Sequence, residues 1–317
     1  MAQKDSVHIP SDLAPESRAI LERAIELGIV PDEITTVEAA RAKEVRERAL
    51  MPEPPSLAAV ADVAVEGQDG PVPLRIYRPA GEPPFPTLMY IHGGGWVLGS
   101  IDHADVDCRF LALDTGSVVV SVGYRLAPEH KFPAGLDDVV AAAEWTASQV
   151  GDHGGDPARL AVVGSSAGGN LAAALCLLAG QRGGPRIDHQ VLIYPVTDFS
   201  FDTTSYRDFA EGYWLELADM RWFWDHYLET PDQAADPRAS VLRAPDLAGL
   251  PPATILTAGC DVLRDEAEAY GERLREAGVP VTVLPYPGQL HGFWSCGAVT
   301  SLPRRVNADI AAALGRD

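Results

Sequence analysis

The stretch "LAVVGSSAGGNLAAALCLLAG", Leu160 to Gly180, decides the fold. Its first residues form a short apolar run of the kind found in a strand covered on both faces. Its last residues are apolar nearly all round, which marks a central buried helix. Between them Gly164, Ser166 and Gly168 stand as G-x-S-x-G. That spacing is weak evidence alone, because glycine and serine are common in loops. A strand before it and a helix after it give the context of a nucleophile elbow, a sharp turn that lifts a serine hydroxyl above a sheet. The positive N-terminus of the following helix favours negative charge developing at that point.

The same alternation runs outward from this turn. "VPLRIYRP", "TLMYIH", "SVVVSVGY", "QVLIYP", "ATILTAG" and "VTVLPYP" read as further strands. "AGLDDVVAAAEWTASQV" and "DEAEAYGERLREAG" read as helices, the first with Leu136, Val139, Val140 and Ala143 on one face. Strands alternating with helices imply a mainly parallel α/β sheet. Residues 1–55 differ. They read as polar helices, over "APESRAILERAIELG" and "TVEAARAKEVRERAL", closed by the breaker "MPEPPS". The expected division is therefore an N-terminal helical segment, 1–55, and a catalytic domain, 56–317. Within the latter, about 198–245 holds ten aromatic residues and no clear strand, and reads as an insertion over the carboxyl edge of the sheet.

Composition narrows the function. A net charge of −20 repels phosphate backbones, so nucleic acid is not an expected partner. No segment approaches the ~18 apolar residues of a membrane span, and the N-terminus lacks an apolar signal core, so a cytoplasmic location is expected. The four cysteines form no C-x-x-C pair, and buried free thiols are expected of Cys108 and Cys176. No metal or organic cofactor is called for.

"YIHGGGWVLGS", Tyr90 to Ser100, places three glycines directly after a strand. Acyl transfer passes through a tetrahedral oxyanion, and each backbone N–H aimed at it is worth about 3–4 kcal/mol. Glycines let the backbone come close without side chains intervening. The N–H groups of Gly94, Gly95 and Ala167 are the expected oxyanion donors. His92 precedes the elbow and is expected to buttress this loop through a side-chain hydrogen bond.

A serine nucleophile needs a base, and the base an orienting carboxylate. On this kind of turn they follow in the order serine, acid, histidine. His291, in "YPGQLHGF", follows a late strand. Asp261 lies immediately past the preceding strand. Asp265 is its competitor, but acidic residues after it suit the start of a helix.

Five motifs, "HGGGW", "YRLAPEHKFPAGLDD", "GSSAGGN", "DVLRDEAEAYGERLREAG" and "YPGQLHGF", together resemble the hormone-sensitive-lipase-like (family IV) carboxylesterases of the α/β-hydrolase fold. The resemblance runs from about Val60 to the C-terminus. It implies an eight-stranded, mostly parallel sheet with helices on both faces and a helical cap built from the N-terminal helices and the insertion. It implies Ser166, Asp261 and His291 as a catalytic triad, and a small-molecule ester of short to medium acyl chain as substrate. Two departures stand out: Ser165 where the family commonly has an acidic residue before the nucleophile, and Val262 where it often has proline after the acid.

Trp96, Tyr213 and Trp214 are candidates for the wall of an apolar substrate pocket. The last strand is an expected sheet edge, through which a homodimer would pair, although its prolines argue the other way. Two rival functions stand beside this one: a ligand-binding receptor on an inactive hydrolase fold that lacks the histidine, and a transacylase or amidase that uses the same residues. The presence of His291 weighs against the first.

Overall fold

The computed structural model describes residues 9–29 and 36–315. Eight strands form one sheet: β1 (Ala59–Gly67), β2 (Gly70–Arg78), β3 (Phe85–Ile91), β4 (Val118–Val122), β5 (Gly155–Ser165), β6 (His189–Ile193), β7 (Ala253–Cys260) and β8 (Val281–Leu290). Their order across the sheet is β1-β2-β4-β3-β5-β6-β7-β8. Antiparallel pairing is confined to β1–β2 and β2–β4, and every other pair is parallel. Every run read as a strand from the sequence is one. β1, which no quoted run included, alternates half-buried with exposed residues and buries only Val65, so it lacks the apolar density of the others.

Val118, Val119 and Val120 explain how the sheet is buried twice over. Side chains alternate between faces along a strand. Val118 and Val120 join the apolar cluster under α4 (Ala134–Gln149), α5 (Ala167–Arg182) and α8 (Arg264–Glu276). Val119 joins the cluster under α3 (Asp105–Thr115) and α9 (Leu302–Ala313). The helix α5 is the buried one foreseen, with Leu171 to Leu175 at most 1% exposed. No helix among the described residues is long and apolar enough to cross a membrane.

Two segments, one polar and one rich in aromatic residues, dock on the carboxyl edge. The first is α1 (Pro15–Glu26) and α2 (Val37–Glu47). Here α1 clasps the end of β8: Ala14 N–H donates to Gly288 O at 2.8 Å, and Leu290 N–H donates to Ser17 Oγ at 2.8 Å. The helix α2 is held by Arg41, which pairs with Glu129 at 2.7 Å and donates to Val97 O at 3.2 Å. Its stretch 30–35, before α2, lies outside the described residues, as do 1–8 of the segment read as 1–55.

The second is the insertion after β6, with α6 (Thr204–Asp208) and α7 (Leu217–Tyr227). Both of its ends are tied at one place. Glu266 of α8 accepts from Thr197 N–H at 2.6 Å, and Leu242 N–H donates to Thr197 O at 2.9 Å. Asn170 of α5 donates to Val196 O and Ala239 O at 3.1 and 2.8 Å.

Candidate active site

The turn after β5 is as tight as two residues without side chains permit. A Cβ on Gly164 would lie 2.2 Å from Gly168 O, and one on Gly168 would lie 2.1 Å from Ile91 O. Ser166, between them, has φ +55° and ψ −120°, backbone that an L-residue rarely adopts and that costs of order 1–3 kcal/mol. The strain is held by hydrogen bonds on both sides, Ser166 N–H to Ile193 O at 2.8 Å and Asn170 N–H to Ser166 O at 3.1 Å. Strain of this kind collects at functional sites. Among the described residues the other non-glycine residues with positive φ, Trp96, Tyr194 and Trp214, lie in the segments around the same turn.

Ser166 Oγ stands 3.0 Å from His291 Nε2, and His291 Nδ1 stands 2.7 Å from Asp261 Oδ2. A carboxylate oxygen only accepts, so in the neutral ring Nδ1 carries the proton and Nε2 accepts from the serine hydroxyl. Asp261 is fully buried at the end of β7, and its other oxygen accepts Leu263 N–H at 3.0 Å. His291 follows β8 directly, against the ring of Tyr194 at 4.5 Å. Asp265 is not part of this chain of contacts. It lies in the first turn of α8 as foreseen, but it does not cap that helix. Its carboxylate accepts Ser205 N–H at 2.8 Å and pairs with Arg264 at 2.8 Å.

The glycine loop passes over the elbow, with Gly93 close enough that a Cβ would lie 3.0 Å from Ser165 O. Among the described residues the N–H groups of Gly94, Gly95 and Ala167 have no hydrogen-bond partner. Ala167 opens α5, where the first N–H groups of a helix have no partner within it. His92 acts on this loop as expected: its Nδ1 meets Gly93 O at 2.7 Å, and its ring stacks on Tyr124 at 4.3 Å. Burial pushes it down to about 4, so it stays neutral at ordinary pH.

A cavity of about 210 Å³ opens onto Ser166 and His291. Trp214, Leu215 and Phe223 of the insertion line one side, and Ala40, Leu50 and Met51 line another. Two expectations are corrected. Trp96 is turned away from the cavity into the insertion's core, stacked on Tyr227 at 4.1 Å and packed on Trp224 at 4.6 Å. Tyr213 also misses the cavity, and its hydroxyl donates to Asp12 at 3.1 Å. The immediate neighbour Trp214 does reach the wall, because one residue's shift along the chain changes which side faces the site.

The pocket wall is largely apolar, as expected, but it also carries charged and titratable groups that the sequence reading did not include. Lys43, Glu44 and Glu47 of α2 reach the cavity, with His103, Asp107 and Asp219. Burial pushes Glu44 up to about 7 and Asp107 up to about 7. It pushes His103 down to about 4, so near neutral pH the 3.5 Å contact between His103 and Glu44 joins a neutral imidazole to a carboxyl group in the middle of its titration. Sequence reading missed these residues because α2 carries no apolar stripe. A short helix polar all round has to be supported by something other than a core, and that was the available signal. Cys108, Cys176, Cys260 and Cys296 are buried free thiols, the last on the cavity wall. Among the described residues no group of three or more His, Cys, Asp or Glu is arranged to hold a metal ion.

Compared with known proteins, residues 88–295 match a family described by its alpha/beta hydrolase fold. The chain is 46% identical over 250 residues to the carboxylic ester hydrolase LipN of Mycobacterium tuberculosis, a match covering 77% of this chain and 66% of that protein. It is 42% identical over 247 residues to the ethyl acetate hydrolase of Pseudomonas putida, covering 76% and 77% of the two chains. Among solved structures it is similar to an ester hydrolase from the Lake Arreo metagenome, with a TM-score of 0.89 and 42% identity over 96% of this chain and 98% of that one. It is also similar to a hyperthermophilic esterase from Pyrobaculum calidifontis, with a TM-score of 0.88 and 39% identity over 95% and 97% of the two chains.

Proposed function

The chain belongs to the alpha/beta hydrolase family and is a carboxylic ester hydrolase, and from that premise we propose that Ser166, His291 and Asp261 cleave short- to medium-chain esters through an acyl-enzyme. Ser166 Oγ attacks the ester carbonyl while His291 Nε2 takes its proton. The N–H groups of Gly94, Gly95 and Ala167 receive the oxyanion. His291 then returns the proton to the leaving alcohol. Water attacks the acyl-enzyme with His291 again as base, and the acid leaves. Asp261 fixes the ring so that Nε2 faces the serine, and it stabilises the imidazolium formed at each step.

The observation that carries this reading is the unbroken sequence of contacts from Ser166 Oγ through His291 to Asp261, at 3.0 and 2.7 Å. The cavity supports the chain-length reading. At about 210 Å³ it is smaller than the ~300–1,000 Å³ of ordinary ligand pockets, which suits a short acyl chain and a small alcohol. The helices α1 and α2 together with the insertion, about 198–245, act in this reading as one cap that sets that volume. The remaining edge of β8 is the surface through which a second copy would pair. Light scattering that showed only monomer at high concentration would remove that part.

The test is hydrolysis of p-nitrophenyl esters over a series of acyl lengths by wild type and Ser166→Ala. A loss on the order of 10⁶-fold in turnover, with the wild type favouring short chains, is expected. Equal activity in both proteins would overturn the mechanism. Adding an alcohol acceptor separates hydrolysis from acyl transfer by the products formed.

A further inference from the structure

Asp107 lies on α3, away from the three segments that supply the serine, the acid and the histidine, yet its side chain reaches the wall of the catalytic cavity. It is 8% exposed, and its Oδ2 accepts Ser295 Oγ–H at 2.8 Å. Ser295 ends a single 3-10 turn, Phe293–Ser295, that begins two residues after His291. The turn is closed by Ser295 N–H donating to Gly292 O at 3.1 Å. Its middle residue is tethered separately, with Trp294 Nε1–H donating to Asn307 Oδ1 of α9 at 2.8 Å.

The groups that face Asp107 come from every side: Tyr90 of β3, Tyr194 after β6, Cys108 of α3 and Cys296 beside Ser295. None of these is a cation. Burying a carboxyl group without one costs free energy, and a single hydroxyl hydrogen bond offsets only part of it. The same burial pushes the group up to about 7. A carboxyl group maintained at this cost on the wall of the cavity that Ser166 and His291 also line points to a role in the reaction more than in packing.

We propose that Asp107 is a positioning residue: through Ser295 its carboxyl group holds the Phe293–Ser295 turn, and thereby sets the imidazole of His291 over Ser166. The proposal rests on the reading of His291 as the base. The tether joins the loop after the base to α3, an element that supplies none of the three groups. His291 is then fixed from two directions, by Asp261 at Nδ1 and by the turn that follows it in the chain.

The experiment measures kcat and KM on p-nitrophenyl acetate for wild type, Asp107→Asn, Asp107→Ala, Ser295→Ala and the double variant Asp107→Ala/Ser295→Ala. Ser295→Ala and Asp107→Ala are each expected to lose about ten- to a hundred-fold in kcat with KM little changed, the scale of a misplaced catalytic group. The double variant should lose no more than either single one, because the two side chains act as one tether. Asp107→Asn keeps an oxygen that can accept from Ser295 and should stay within about three-fold of wild type. Three results overturn the proposal: losses in the two single variants that multiply in the double one, an asparagine variant as impaired as the alanine one, or wild-type kcat in Ser295→Ala. Failure of the underlying reading shows elsewhere, as full activity in His291→Ala, so the two failures are distinguishable.

Discussion

The ring of Phe223 fills the space that a side chain on Gly95 would need: a Cβ there would lie 2.1 Å from Phe223 Cδ1. One residue belongs to the glycine loop and the other to α7 of the insertion, so the cap rests directly on the proposed oxyanion donors. Gly95→Ala should therefore lower kcat by about 10²-fold or more, through displaced N–H groups and a φ of +58° unfavourable to alanine. The double variant Gly95→Ala/Phe223→Ala should recover part of that loss, since it removes the collision. A double variant no better than Gly95→Ala would show that the ring is not what excludes the side chain.

Asp261 and Asp265 stand four residues apart in the chain with separate partners. Asp261→Asn is expected to reduce kcat by about 10⁴-fold, because an amide no longer holds the histidine in the tautomer the serine needs. Asp265→Asn loses the ion pair to Arg264 but nothing at His291, and should keep most of its activity. Steady-state rates of the two variants on one ester decide the matter. Equal losses would contradict the assignment of the acid.

Glu44 faces the cavity from α2, and burial raises it to about 7. An unfolded chain ionises glutamate near 4.3, as a rough reference. The folded protein thus holds a proton that the unfolded one has lost between those values. The cost of ionising Glu44 in place is fully present above its folded value and fades as pH falls toward about 4. Glu44→Gln should raise stability by about 1–2 kcal/mol in mild alkali, allowing for its partial exposure, and by little in acid. Denaturant melts at several pH values measure this. A gain that grew on acidification would mean the sign is wrong.

Trp96 and Trp214 carry opposite expectations despite the same residue type. Trp96, 1% exposed and stacked on Tyr227, should cost about 3–5 kcal/mol of stability on replacement by alanine. Trp214 lines the cavity, so Trp214→Ala should shift the preferred acyl length upward with a smaller loss of stability. Thermal melts and an acyl-length series, run on both variants, separate the two roles.

The parts of this molecule that can be read from sequence are those fixed by local rules. The glycines at 164 and 168 are forced by backbone approach, and the apolar runs in β3 to β7 mark strands buried on both faces. His291 and Asp261 follow from their places just past strand ends. What stays hidden depends on how separate segments meet. Asp107 and His103 look like ordinary surface residues in "DHADVDC", and only the packing of α3 and α2 brings them to the cavity. Tyr213 and Trp214 are indistinguishable in the chain. Only the path of the insertion settles which of them faces Ser166 and which reaches Asp12.

The clasp between α1 and β8 joins Ser17 to Leu290, 273 positions apart. The histidine follows one residue later, so its backbone is moored by the first helix and the last strand of the described residues. During synthesis the elbow and the acid exist well before that mooring can form. The proposed base is therefore the one of the three groups whose backbone depends on a contact between segments 273 positions apart.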